Sequence, residues 1–207
     1  MFSMISWVSL GLVLAGIVAH SLLSPRPRLA KREASEGAGR PCWGCCGENL
    51  STLAKLNRLA CAVALGSLVI LFVTGFGGRL LFGEQIGGYT LMLHVGLAPV
   101  FVICAGVVGV AWGHQCRLNG DDRQGLADLL RLKKTDPADT ADLGWKLTFW
   151  LAMFLVVPVS LSMVLGMYPL FGTHGQELLM GLHQYTSLAL TLVVMSHVHL
   201  VIRRHCK

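Results

Sequence analysis

The stretch LMGLHQYTSLALTLVVMSHVHLVI, residues 179–202, contains no Asp, Glu, Lys or Arg. It exceeds the ~20 residues that an apolar helix needs to cross a bilayer. It nevertheless holds His183, His197 and His199. An ionisable side chain inside a membrane is costly, so it faces a partner or a site. His183 and His197 are 14 positions apart. At about 100° and 1.5 Å per residue, 14 steps return to within about 40° of the starting direction and climb about 21 Å. The two imidazoles therefore share one helix face, one toward each membrane surface. His199 stands about 160° around the helix from His183 and points to another surface.

Working outward, four more segments are long and apolar enough to span: 3–23, 58–77, 90–113 and 147–168. The whole 207-residue chain is 54% hydrophobic and only 14% charged, where a soluble domain carries about a quarter charged residues. A water-soluble enzyme and a disordered chain are both excluded. The expected fold is all-α, an integral membrane bundle of five transmembrane helices. It divides into an N-terminal helix (1–23), a linker rich in Pro and Gly (24–57) and a four-helix unit (58–207).

Lys and Arg set the orientation. Residues 24–58 hold seven of them, 114–146 six and 203–207 three, which leaves Arg79 alone on the opposite side. The positive-inside rule then places the N-terminus outside and the C-terminus in the cytoplasm of a cell inner membrane. The net charge of +6 thus describes topology, and nucleic acid is not an expected partner. The first segment reads as an uncleaved N-out helix. Met1 to Trp7 lacks the basic residues of a signal peptide, while Arg26, Arg28, Lys31 and Arg32 follow the apolar run.

The other intramembrane histidines are His20 and His94. With this topology, 90–113 and 179–202 run in the same direction, and His94 and His183 each lie about four residues into their spans. Matched in depth, they form a candidate pair of axial haem ligands near the outer surface. Imidazole is a common haem-iron ligand, and two of them on one iron favour electron transfer over oxygen binding. For His197, His20 lies at a similar depth. His114 is the next candidate, although it stands about 200° around its helix from His94. A single-haem protein stays open. The plainer reading of any one histidine is an interhelical hydrogen bond worth under ~1–2 kcal/mol.

Segment 58–207 resembles the four-helix cytochrome b membrane subunits of respiratory oxidoreductases, the formate dehydrogenase gamma, thiosulfate reductase and nickel-iron hydrogenase type. The features that carry the resemblance are Arg58, Thr74-Gly75, Leu91-Met92-Leu93-His94, the polar loop Asp122–Lys134, Gly144-Trp145-Lys146-Leu147-Thr148-Phe149-Trp150 and Leu182-His183-Gln184-Tyr185 with His197 fourteen residues on. The resemblance implies bis-histidine haem b, one or two groups, with His94 opposite His183. It also implies electron transfer between partner redox subunits and menaquinone or ubiquinone, with any substrate chemistry in the partner. In the family the counterpart of His197 pairs with a histidine opening the first core helix; Asn57–Ala64 has none here. Pro158 inside the fourth span reads as a structural kink rather than a quinone pocket.

Cys42, Cys45 and Cys46 have the two-residue gap of zinc and iron–sulfur sites, with Cys116 or Cys206 as further ligands only through tertiary proximity. In the cytoplasm, reduced thiols or a partner-docking patch are the plainer reading. Cys61 and Cys104, inside spans, read as small apolar residues. No Cys-x-x-Cys-His motif for covalent haem occurs. Residues 123–134 read as a short amphipathic helix on the membrane surface or a docking face. Two further classes compete with a cytochrome: a haem-free anchor or assembly subunit, and a thiol- or metal-handling membrane protein.

Overall fold

The computed structural model describes residues 2–23, 52–83, 86–131, 137–168 and 171–205. The described residues form six α-helices: α1 (Phe2–Leu23), α2 (Thr52–Leu81), α3 (Gly88–Gly113), α4 (Gly120–Leu130), α5 (Pro137–Gly166) and α6 (Gly172–His205). Five of them, all except α4, are long and apolar enough to cross a membrane. This is the expected all-α membrane bundle.

In hydrocarbon no water is available to the backbone, so each segment closes its own hydrogen bonds as a helix. Hydroxyl side chains inside the spans do likewise. Ser6 donates to the Phe2 carbonyl at 2.9 Å, Thr186 to Leu182 at 2.6 Å and Ser196 to Leu192 at 2.9 Å. The reversals between spans fall at glycines with positive φ, Gly83 at 72° and Gly172 at 63°, a conformation that disfavours a side chain. Helices α3 and α5 continue through Pro99 and Pro158. The helices are also longer than their apolar runs. Helix α2 begins six residues before residue 58, inside the stretch that reads as linker, and α6 begins seven residues before residue 179.

The bundle is two hairpins and a strap. Helices α2 and α3 pack along each other, as do α5 and α6; α3 touches α5, and α1 lies across both α2 and α6. Neither α2 nor α3 packs its backbone extensively against α6 among the described residues. The core falls into three clusters. Phe2, Leu10, Phe76 and Leu188 pack where α1, α2 and α6 meet. Phe101, Ala105, Ala152 and Leu190 join α3, α5 and α6, and Ala60, Val108, Cys116 and Phe149 join α2, α3 and α5. Outside these clusters large apolar side chains are exposed on every span, among them Leu12, Val73, Ile103, Phe154 and Leu178. Such helices, apolar all round, suit a lipid environment.

Helix α4 is the short polar helix expected at 123–134, and it is displaced to Gly120–Leu130. It docks on α5, where Lys146 Nζ stands 2.6 Å from Asp122 Oδ2. The turn between α3 and α4 is tied to the same helix, because Trp150 Nε1 donates to the Cys116 carbonyl at 2.8 Å.

Candidate functional site

His94 enters the bundle from the second turn of α3, and His183 from the fourth turn of α6. Their ring centroids are 6.4 Å apart, with the planes at 78°. The depth match read from the sequence is realised as a contact between two helices whose backbones are not packed together.

Each ring is fixed by its Nδ1. Thr74 Oγ1 on α2 lies 2.9 Å from His94 Nδ1. The same hydroxyl also reaches the Ile70 and Leu71 carbonyls, at 2.8 and 3.2 Å, and with its one proton directed to them it accepts from the imidazole. His183 Nδ1 donates to the Val159 carbonyl on α5 at 3.0 Å. A carbonyl can only accept, which assigns the proton to Nδ1. His197 repeats the arrangement with Thr148 on α5. The distance from Nδ1 to Oγ1 is 2.9 Å, and the hydroxyl proton goes to the Gly144 and Trp145 carbonyls at 2.9 and 3.1 Å. In all three histidines Nε2 therefore keeps its lone pair. This is the tautomer that a metal-bound histidine adopts, with its other ring N–H held by an acceptor that sets the ring's orientation.

The backbone makes room for this. Gly75 packs against the His94 ring, and a Cβ there would stand 3.0 Å from Cε1. Haem iron between two imidazoles is therefore a group that these residues fit on three counts. Nitrogen-to-metal distances of about 2.0–2.1 Å put opposed ring centroids roughly 6 Å apart. Both Nε2 atoms carry lone pairs, and a side chain is missing where it would crowd one ring.

His197 lies about 21 Å along α6 from His183, beside Phe149, whose ring centroid is 6.1 Å away. The pairing of His197 with His20 is not what the structure has. His20 Nδ1 stands 3.1 Å from His199 Nε2, and the Arg203 guanidinium donates to both Nδ1 and the carbonyl of His20. Because a guanidinium only donates, His20 Nδ1 accepts, and the proton of its neutral ring sits on Nε2. The one ring lone pair of His20 is thus taken up by Arg203, and the residue pins α1 to α6. His114 caps α3 and is exposed. No second histidine contacts His197 among the described residues. Cys116 is buried at 1% exposure under α5, whereas Cys42, Cys45, Cys46 and Cys206 lie outside the described residues. No group of three or more metal-ligating side chains occurs among the described residues, a criterion that a pair of axial histidines does not meet.

Sequence reasoning misses the acceptors. Thr74 and Thr148 enter it only within a resemblance, although a Thr at each histidine's level is the available signal. The Val159 carbonyl leaves no trace in a sequence. No protein-family model matches the chain, and neither curated proteins nor solved structures give a match.

Proposed function

We propose that the chain is a b-type cytochrome of the cytoplasmic membrane, holding one haem b between His94 and His183. It would pass electrons between a partner redox protein and membrane quinone. The observation that carries this reading is the common state of His94 and His183: two imidazoles with ring centroids 6.4 Å apart, each with its Nδ1 proton donated to a neighbouring helix and Nε2 left as a lone pair. When bound, haem iron supplies one-electron transfer, with a potential set by its axial ligands, burial and nearby charge.

The chain's own contribution is to orient the two ligands. Thr74 and the Val159 carbonyl hold the two rings in one tautomer, and Gly75 leaves the His94 ring its space. His197, in the same tautomer on the same helix face, is the position for a second group. A second haem would require an opposite ligand that the described residues do not supply. The distribution of Lys and Arg supports an N-out, C-in orientation, which puts the His94–His183 pair near the outer surface. The substrate of the complex belongs to the partner.

A haem-free anchor is the second reading, and the same contacts favour it. Thr74–His94, His183–Val159 and Thr148–His197 each staple two helices, as intramembrane polar residues do. Haem retention by His94→Ala and His183→Ala separates the two. The cytochrome reading expects each variant to lose the same haem, and His197→Ala to retain it. If both His94→Ala and His183→Ala kept the full haem content of the parent, the ligand assignment would fail.

A further inference from the structure

A shallow, open cleft of about 530 Å³ lies at the Arg79 end between α2 and α6, lined by Arg79, Thr173, Gln176, Glu177 and Gln184 together with Met180 and Gly181. Its walls belong to the same two helices that flank the His94–His183 pair. Gly75, against the His94 ring, is one turn before Arg79 on α2, a rise of about 6 Å. Gln184 follows His183 on α6. Arg79 is held from below by the N-terminal helix, with its guanidinium carbon 5.3 Å from the centroid of the Phe2 ring. Phe2 is itself buried at 8% exposure and set edge-on to Tyr185 at 5.2 Å. Cation–π contact of this kind restrains a guanidinium without using its N–H donors.

We infer that Arg79 is the counter-ion for the two propionate carboxylates of the haem that His94 and His183 hold. The inference rests on the cytochrome reading above. A group whose iron lies between two imidazoles inside an apolar bundle still carries two carboxylates, which must reach water or a cation at the end of the bundle rather than stay in its apolar interior. Among the described residues, Arg79 is the Lys or Arg side chain at the pair's end of the bundle, one turn from the glycine that the His94 ring touches. It faces a water-accessible cleft with Thr173, Gln176 and Gln184 as further hydrogen-bonding groups. A guanidinium offers a planar fork of donors that matches a carboxylate in bidentate fashion. Glu177 shares the cleft and opposes a second anion, so the balance of the site depends on the positive charge of Arg79. Helix α1, which the four-helix pattern lacks, thereby gains a role, since it positions that charge through Phe2.

The test compares haem b with its dimethyl ester, which keeps the iron and the macrocycle but has no carboxylate. Purified full-length protein stripped of haem is titrated with each, as the parent, Arg79→Gln, Arg79→Lys and Glu177→Gln. Arg79→Gln is expected to weaken haem b about tenfold, the scale of one charge-assisted hydrogen bond, and to leave the ester unchanged. Arg79→Lys should fall between parent and Arg79→Gln, and Glu177→Gln should tighten haem b alone. Equal weakening of both haems in Arg79→Gln, or none in either, overturns the role of Arg79 while the axial ligation stands. If Arg79→Gln binds neither haem through misfolding, Glu177→Gln decides: tightening of haem b but not of the ester supports the inference, and any other pattern overturns it. A parent that binds neither haem overturns the inference and the cytochrome reading together.

Discussion

Thr74 is the residue on which the site turns, because its hydroxyl is committed on both sides. It donates down its own helix to Ile70 and accepts from His94 Nδ1. Val has nearly the same shape and no acceptor, so Thr74→Val should leave the helix intact and release the ring. An outer acceptor of this kind typically costs 10–100-fold in affinity when removed. Haem titration of Thr74→Val should show a loss in about that range, with Thr74→Ser close to the parent; equal affinity for Val and Thr would show that the hydroxyl does not orient a ligand. The histidines themselves are legible from their depth and from the 14-residue spacing on α6, because a helix fixes both height and azimuth. The partner of His20 is not. His197 and His199 differ by under one turn in height, about 3 Å, so depth does not choose between them. The choice is made by how α1 docks, through Phe2, Ser6 and Leu10 at one end and Arg203 at the other.

Among the elements, α4 has the most specific attachment. Burial pushes the Asp122 carboxyl upward. The hydrogen bond from Lys146, a bond from the Asn119 backbone N–H and the Lys146 charge outweigh it, leaving Asp122 below its ordinary value of 3.8. A carboxylate depressed in the folded state stabilises fully above its unfolded value, and that contribution is lost as the pH falls through the folded value. Docking of α4 should therefore be complete at neutral pH and loosen only below about pH 3.8. Asp122→Asn removes about 1 kcal/mol. At pH 7 it should raise hydrogen exchange of the α4 amides roughly fivefold without touching those of α6; unchanged exchange would mean that apolar contacts alone seat the helix. A polar helix here is legible in the sequence, but three to four residues out of place. Its leucines repeat through the segment, whereas its ends depend on Asn119 and Asp122 closing a turn.

At the scale of the molecule, five spans are legible as runs of apolar residues because a bilayer imposes length and composition directly. Their ends are less so. Helix α2 starts at Thr52 and α6 at Gly172, since helices continue past the hydrocarbon wherever the chain supplies no stop signal. The arrangement of hairpins is not legible at all, and it matters most. Two tight pairs, α2–α3 and α5–α6, are bridged by α3–α5 packing and strapped by α1. Between the two pairs the contacts are made by side chains: Phe76 and Leu188 share one buried cluster and Phe101 and Leu190 another, and the His94 and His183 ring centroids stand 6.4 Å apart. On the reading proposed above, those two imidazoles hold haem. The most direct test is pyridine haemochrome quantification on the detergent-purified protein, expressed with ample haem, alongside its dithionite-reduced minus oxidised spectrum. One haem b per chain is expected, with the spectrum of a six-coordinate, bis-histidine iron. Protein that is folded and carries no haem would contradict it.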